Sequence, residues 1–295
     1  MFIRTSDGLD LQFREVGRGP TIVFSHEFGG NHASWEKQIE RLATTHRCIA
    51  YTARGFSPST TSGQETYYGR HMLVRDLVEL VENLKLERFH LVGAGMGAAT
   101  SLLAAELLGD KVKTITLAGC PAGPLSQLEL FEHRSRIRQV LLAMEQKDPA
   151  LASWTLWNDR PDERLIGEKA AWWRKYRGIF EQHDTAGLAL TLKRVEWDVP
   201  DFKHLERRLR HIEAPTLLVS GDDDRHAAHM TAAHLARVLP FAKLVKLSRC
   251  GRLVHFEQPA VFNKLLWQHV RTLELRENGQ RHYSKLELSL NLESS

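Results

Sequence analysis

Residues 93–97 read Gly-Ala-Gly-Met-Gly, and this short stretch decides the fold. An apolar run at 89–92 precedes it, and a helix-forming run at 98–108 follows it. Small residues on both sides permit a tight turn, so the pattern predicts a buried strand that turns sharply into a helix. A strand-turn-helix unit of this kind is typical of α/β folds, in which ligands bind at the carboxyl ends of the strands.

The same glycines also fit a second motif. Gly93, Gly95 and Ala98 have the Gly-x-Gly-x-x-Ala spacing of dinucleotide-binding sites. Such a site places an acidic residue about 20 residues further on, at the end of the next strand, where it holds the ribose. The next predicted strand, 114–118, is followed by Gly-Cys-Pro and by no acid. The dinucleotide interpretation is therefore disfavoured, and we predict no cofactor and no metal.

Composition and charge argue against several classes of partner. The 295 residues include 40 Lys and Arg against 36 Asp and Glu, a formal net charge of +4 that is spread along the chain. The cluster of Arg207, Arg208 and Arg210 is typical of a solvated helix face. No stretch approaches the length of a membrane span, and the N-terminus lacks a signal-peptide pattern. We therefore predict a cytoplasmic protein that binds a small molecule, with no nucleic acid and no membrane as partner.

Cysteine spacing is consistent with this location. Cys48, Cys120 and Cys250 are far apart and form no Cys-x-x-Cys pair. Such a set predicts reduced thiols rather than a disulfide framework or a zinc site. Cys120 ends a predicted strand, and we expect it to be a buried, inert thiol.

Hydrophobic periodicity divides the chain into a core, an insertion and a tail. Short apolar and alternating runs predict strands at 2–4, 9–15, 21–25, 48–51, 216–220 and 244–247, and helical periodicity marks 68–84 and 261–272. Residues 122–214 have helical patterns and hold five of the seven tryptophans. The predicted domains are a core at 1–121 and 215–275, an inserted helical cap at 122–214, and a C-terminal extension at 276–295.

The chain end has a pattern of its own. Residues 273–276 and 283–292 alternate apolar and polar positions around Asn278-Gly279, a two-residue hairpin signal. A β-hairpin here would cover a sheet edge or form the contact of a homodimer. A disordered tail is the equal alternative, since chain ends are often poorly ordered.

Four further motifs occur in an order that matches a known family. They are residues 26–30 (His-Glu-Phe-Gly-Gly), 53–59 (Ala-Arg-Gly-Phe-Ser-Pro-Ser), 221–224 (Gly-Asp-Asp-Asp), and Gly251-Arg252 ahead of Glu257-Gln258-Pro259. With the stretch at 93–97, they resemble the α/β-hydrolase superfamily, in its capped esterase- and lactonase-like branch, from about residue 2 to residue 272. The resemblance implies an α/β-hydrolase fold, with a mostly parallel central sheet flanked by helices and an inserted helical cap.

The resemblance also implies roles that two residues cannot perform. It places the serine nucleophile at Gly95, the acid at Asp224 and the histidine at Arg252, and it makes an oxyanion hole from the amides of Phe28 and Met96. Glycine carries no nucleophile, and a guanidinium stays protonated near neutral pH. Ordinary catalysis through an acyl-serine is therefore excluded, and the triad is degenerate.

Two charged residues fall where the family has none. Glu27 replaces a glycine of the oxyanion loop, and we hypothesise that it faces Arg252 across Gly95. Glu27 would then act as a general base, and Arg252 would clamp a carboxylate or enolate oxygen. A plain salt bridge that fills an inactive site is the alternative. His26 is a further catalytic candidate whose alternative is structural, and His255 is expected to point elsewhere.

Three classes of function remain open. The first is an enzyme without a serine ester, such as a lyase, cyclase, isomerase or decarboxylase, whose oxyanion donors stabilise an enolate. The second is hydrolysis by water that Glu27 activates. The third is a ligand-binding or regulatory pseudo-hydrolase without catalysis. We predict a small, largely apolar substrate or ligand, bound by Trp154, Trp157, Trp172 and Trp173, although packing of the cap is the simpler role for these side chains.

Overall fold

A computed structural model describes residues 1–120, 126–146, 152, 170–197, 202–224 and 226–277. Within these ranges the chain forms an eight-stranded sheet in the order β1-β2-β4-β3-β5-β6-β7-β8. The strands are β1 (Phe2–Arg4), β2 (Asp10–Val16), β3 (Thr21–Ser25), β4 (Arg47–Tyr51), β5 (Phe89–Ala94), β6 (Val112–Ala118), β7 (Thr216–Gly221) and β8 (Ala242–Leu247). β2 pairs antiparallel with both β1 and β4. The other neighbouring strands of the sheet pair parallel.

Helices connect and cover these strands. They are α1 (Glu36–Leu42), α2 (Arg70–Asn83), α3 (Met96–Leu108), α4 (Gln127–Glu145), α5 (Ala170–Phe180), α6 (Thr185–Thr191), α7 (Glu206–Leu209), α8 (His226–Val238), α9 (Val254–Glu257) and α10 (Pro259–Glu277). Short 3₁₀ turns lie at His32–Trp35, Glu65–Tyr67 and Gly109–Lys111, and a π-helical turn lies at Leu192–Glu196. The mostly parallel sheet flanked by helices confirms the predicted fold class.

The two faces of the sheet bury different side chains of the same strands. In β3 every residue is buried. Ile22 and Phe24 pack with Trp35 and with Phe262 of α10, whereas Val23 packs in the cluster that includes residues of α2 and α3. Successive strand residues point to opposite faces, so a continuous apolar run is what a strand covered on both faces requires.

The order of the strands locates the crevice of the sheet. β3 lies between β4 and β5, so the chain leaves it to one side first and later returns on the other side. Open α/β sheets bind ligands at such a switch point, outside the carboxyl ends of the strands. The loop after β3 and the turn after β5 therefore face the same crevice.

The predicted cap segment contributes helices between β6 and β7. Helix α4 begins with a capping box, in which Ser126 Oγ accepts from the Glu129 amide at 3.2 Å and the Glu129 carboxylate accepts from the Ser126 amide at 2.9 Å. Asp184 is the N-cap of α6, and its carboxylate accepts from the Ala186 amide at 2.7 Å. The division at 122 and 214 into a separate cap domain stays a prediction.

The last helix is longer than the sequence pattern indicated. Residues 273–276, predicted as the first strand of a hairpin, belong to α10, which continues to Glu277. The strand prediction is wrong there because the apolar residues of α10 pack on the sheet, and this tertiary contact overrides a short alternating pattern. The rest of the predicted extension lies outside the described residues, and the homodimer contact stays a prediction.

Candidate active site

The turn after β5 keeps the shape of a nucleophile elbow without its side chain. Gly95 has φ +50° and ψ −111°, a region that glycine enters at little cost. Its amide donates to the carbonyl oxygens of Ala118 at 3.1 Å and Gly119 at 3.2 Å. A Cβ built on Gly95 would lie 3.4 Å from Glu27 Cβ, an ordinary van der Waals contact. The turn therefore has room for a small side chain that this sequence does not supply.

The peptide group between Gly95 and Met96 is fixed from its carbonyl side. The Gly95 oxygen accepts from the Ala98 amide at 3.1 Å and the Ala99 amide at 3.3 Å, in the first turn of α3. In a trans peptide the N–H points opposite to the C=O, so the Met96 N–H points away from these helical donors. It is also one of the amides that a helix N-terminus leaves without an intrahelical acceptor.

The peptide group between Glu27 and Phe28 is fixed in the same way. Its carbonyl oxygen lies 2.7 Å from His26 Nδ1 and accepts from the Gly30 amide at 3.1 Å. The Phe28 N–H therefore points away from both. Across the ranges that the structure describes, neither Phe28 N–H nor Met96 N–H donates to a protein acceptor. The two amides of the predicted oxyanion hole are thus oriented by the chain, and the oxyanion role itself stays a prediction.

His26 orients this loop through both ring nitrogens. Nε2 accepts from the Ala53 amide at 2.9 Å, which leaves the proton on Nδ1 to donate to the Glu27 carbonyl. Burial lowers the pKa of His26 below its usual value, so the ring stays neutral. This arrangement favours the structural alternative for His26 over the predicted catalytic role.

The Glu27 carboxylate lies beneath the oxyanion loop and is fully buried. Oε1 accepts from Ser34 Oγ at 2.8 Å, and Oε2 lies 3.3 Å from His255 Nε2. Burial acts to raise the pKa of Glu27, but the hydrogen bond and charge of His255 outweigh it, and the pKa is lowered. Glu27 is therefore an internal anion, shielded from any ligand in the crevice.

The predicted pairing of Glu27 with Arg252 is wrong. Arg252 lies instead beside Asp224, with 4.0 Å between Nε and Oδ2, and it donates to the Cys120 carbonyl at 3.2 Å. His255 does not take the place of the family's histidine, as expected; it lies beneath the loop, with 3.3 Å between its Nε2 and Glu27 Oε2. Glu27 does not pair with Arg252 because its side chain points beneath the oxyanion loop, toward Ser34 and His255.

Arg252 and Asp224 lie side by side, at the positions that the resemblance gives to the histidine and the acid. The Asp224 side chain is 2% exposed and that of Arg252 is 19% exposed. Gly119, with φ +59°, allows the approach, because a Cβ there would overlap the Arg252 carbonyl oxygen. The Glu257 carboxylate holds the Arg252 loop by accepting from the Gly251 amide at 2.8 Å. The guanidinium therefore occupies a defined and partly accessible position.

Cys120 lies next to this pair and is fully buried. Burial raises the pKa of its thiol to about 12, and the charge of Asp224 acts in the same direction. A thiol that stays protonated is a poor nucleophile. Cys120 is therefore inert at neutral pH, and all three cysteines are free and buried.

Two residues of the insertion contact the oxyanion loop, and sequence reasoning missed both. Tyr176 Oη donates to the Phe28 carbonyl at 2.8 Å. His183 Nδ1 accepts from the Ser57 amide at 2.9 Å, and Nε2 lies 3.1 Å from the Gly29 carbonyl. Burial lowers the pKa of His183 to about 4, with a smaller effect from His26. No sequence motif identifies these side chains, because their partners are backbone groups far away in the chain.

The predicted tryptophans fall into two groups. Trp172 and Trp173 lie on α5 with ring centroids 6.0 Å apart, and Trp173 stacks on Tyr176 at 5.8 Å. Trp173 is 8% exposed, so most of its surface packs inside the protein. Trp154 and Trp157 lie outside the described residues. A substrate-binding role for the four tryptophans stays a prediction.

The described residues lack the features of a metal site and of a membrane-spanning helix. They hold no group of three or more metal-ligating side chains with suitable geometry. None of their helices is both long and apolar enough to span a membrane.

The sheet, the turn after β5 and the order of the loops define the class of protein as an α/β-hydrolase fold. The family model for the alpha/beta hydrolase fold matches residues 20–259, and the chain belongs to this family. The relatives named in curated collections are hydrolases and synthases of small molecules. One is a putative carbamate hydrolase RutD of Rhizobium rhizogenes, 27% identical over 85% of this chain and 92% of the relative.

Two further comparisons extend this picture. A putative 2-succinyl-6-hydroxy-2,4-cyclohexadiene-1-carboxylate synthase of Bacillus subtilis is 24% identical over 92% of this chain and 98% of its own. The enol-lactonase of Burkholderia xenovorans LB400 is 20% identical, covers 92% of this chain and 100% of its own, and has a TM-score of 0.78. At that identity the structural likeness shows the shared fold alone.

Proposed function

We propose that this protein is an enzyme that acts on a small, largely apolar carbonyl compound without a serine nucleophile. The amides of Phe28 and Met96 would hold the carbonyl oxygen while it gains an electron pair and becomes an enolate. Arg252 would bind a carboxylate or enolate oxygen of the same substrate. One observation carries the proposal: the turn at Gly95 leaves side-chain space beside two oriented N–H groups that donate to no described protein acceptor.

The buried position of Glu27 narrows the reaction type. A general base must come within hydrogen-bond reach of the proton it removes. The Glu27 oxygens contact Ser34 and His255 instead, and the carboxylate is fully buried. This argues against water activated by Glu27. It favours lyase or cyclase reactions in which no side chain has to remove a proton.

Decarboxylation of a 3-oxo acid is the simplest reaction of this type. The bond between the carboxylate and the α-carbon breaks, carbon dioxide leaves, and the electron pair moves to the carbonyl oxygen as an enolate. Water then protonates the α-carbon. Hydrogen-bond donors that are strongest toward the enolate oxygen lower the barrier of the first step.

The test removes the Met96 N–H donor by a substitution at a buried position. Met96 is the first residue of α3, a position where proline is tolerated because its missing N–H has no helical acceptor. We expect Met96→Pro to lower the rate of benzoylacetate decarboxylation, followed by proton NMR of acetophenone, by about 10² to 10³-fold. Met96→Leu keeps the N–H and is the matched control. Equal rates in the two variants would overturn the role of this amide.

A second candidate function is ligand binding without catalysis. The observation that favours it is that both predicted bases are engaged internally, His26 by backbone groups and Glu27 by His255. A pseudo-hydrolase of this kind would bind phenylacetate saturably and would not accelerate benzoylacetate decarboxylation above an inert protein. Acceleration that Met96→Pro removes would exclude this second candidate.

A further inference from the structure

His255 is a buried ionisable residue to which the proposed reaction assigns no role. It lies on α9, is 1% exposed, and stacks on Trp35 with ring centroids 4.5 Å apart. Gln38 fixes the backbone at this point by donating to the His255 carbonyl at 3.2 Å. The ring is therefore held in place by the core, independently of any ligand.

The imidazole has one charged neighbour. Its Nε2 lies 3.3 Å from Glu27 Oε2, and both side chains are fully buried. An isolated carboxylate is very costly to bury, so Glu27 stays ionised only while a donor or a positive charge lies beside it. Ser34 supplies a hydroxyl donor to Oε1, and His255 Nε2 is the ring nitrogen beside Oε2.

The Glu27 carboxylate also packs against the oxyanion loop. A Cβ at Gly30 would overlap Glu27 Oε1, so the loop closes directly onto this oxygen. The Glu27 side chain and the peptide group that carries the Phe28 N–H both start from the Glu27 Cα. The Gly30 amide donates to the Glu27 carbonyl, so a displaced carboxylate would move Gly30 and, through this hydrogen bond, the peptide group that carries the Phe28 N–H.

We propose that His255 is a positioning residue. It holds the Glu27 carboxylate in place and thereby determines the direction of the Phe28 N–H. The inference rests on the proposed function for its catalytic meaning, since Phe28 supplies one of the two donors to the carbonyl oxygen. The Met96 donor belongs to a different peptide group, held by α3, and serves as an internal reference.

The experiment follows the two amides directly. Protein labelled with ¹⁵N only at phenylalanine and methionine contains 12 Phe and 5 Met, so its amide spectrum is simple. Phe28→Leu and Met96→Leu assign the two resonances. We expect His255→Leu to shift the Phe28 resonance and leave that of Met96 in place, and His255→Gln, which keeps a donor, to restore most of the wild-type position.

A matched control exists elsewhere in the chain. His234 is buried, and its Nε2 lies 3.3 Å from Glu206 Oε1, so His234→Leu removes a similar pair from another region. It should move neither resonance. An unchanged Phe28 resonance in folded His255→Leu, or equal shifts of Phe28 and Met96, would overturn the proposal. If His255→Leu does not fold, Ser34→Ala applies the same test by releasing the other oxygen of Glu27.

Ligand binding separates this inference from the proposed function. Phenylacetate should shift both amides in the unmodified protein, and its affinity should fall about tenfold in His255→Leu. If phenylacetate shifts neither amide of the unmodified protein, the proposed carbonyl site is wrong. The amide comparison in the free protein still decides the role of His255 in that case.

Discussion

Two arginine–aspartate pairs show how differently this protein uses the same two side chains. Arg54 Nε donates to Asp76 at 2.6 Å, and the Arg54 guanidinium also contacts the second Asp76 oxygen, with the two side chains 1% and 0% exposed. Arg252 lies 4.0 Å from Asp224 and is 19% exposed. Arg54 follows β4 and Arg252 follows β8, but the first guanidinium is buried and the second is partly exposed.

The difference assigns the first pair to the fold and the second to the site. Arg54 NH1 also donates to Asp7 at 2.9 Å and to the Tyr67 carbonyl at 3.0 Å, so its guanidinium ties three segments together. Arg252 has the Cys120 carbonyl as its hydrogen-bond acceptor, and its Nε donates to no described residue. The partly exposed Arg252 guanidinium is the group to which we assign the anionic ligand in the proposed function.

The largest expected effect is the loss of stability caused by Arg54→Met. Replacement by Met leaves the Asp76 carboxylate buried without its partner, so the free energy of unfolding should fall by about 3 to 5 kcal/mol. Urea unfolding measures it. Arg252→Met should change the same quantity by about 1 kcal/mol or less, because that pair is loose and partly exposed. Equal losses in the two variants would remove the distinction between the pairs.

The next effect concerns ligand affinity. We expect Arg252→Gln to weaken phenylacetate binding by about tenfold or more, because a hydrogen bond from a charged donor is lost. Arg252→Lys keeps the charge without the planar fork and should recover part of the affinity. Calorimetric titration gives both values. Unaltered affinity in Arg252→Gln would show that the guanidinium does not contact the ligand.

A smaller effect appears as the pH is lowered. Because the pKa of His183 is about 4 in the folded chain and near 6.5 when unfolded, the unfolded chain binds an extra proton between these values. The stability that neutral His183 contributes is present above pH 6.5 and is lost as the pH falls toward 4. His183→Gln should reduce this slope by up to about 1.4 kcal/mol per pH unit. Urea unfolding at several pH values measures it, and identical slopes would contradict the pKa.

The sequence predicted the sheet well because its signals are local. Apolar runs such as 21–25 and 89–92 are long enough for strands buried on both faces, and the glycines at 93–97 fit a sharp turn. The end of α10 was mispredicted because the pattern at 273–276 fits a short strand, and packing on the sheet decides the matter.

The site was harder to predict because motif order places loops and not side-chain directions. The order of motifs correctly brought Asp224 and Arg252 to the same end of the sheet. It gave no information on the direction of Glu27, which turns toward His255. The contacts of Tyr176 and His183 with the loop depend on how the insertion folds back, and no local pattern records that geometry.

The most direct test of the account restores the two missing side chains. Serine fits at position 95, although φ +50° costs a non-glycine residue about 1 to 3 kcal/mol, and histidine at position 252 would lie beside Asp224. Initial rates of aryl-ester hydrolysis are compared for the unmodified protein and Gly95→Ser/Arg252→His. The account predicts no rate above an inert protein for the first, and at least about a tenfold gain for the second. Ester hydrolysis by the unmodified protein, or no gain in a folded double variant, would contradict it.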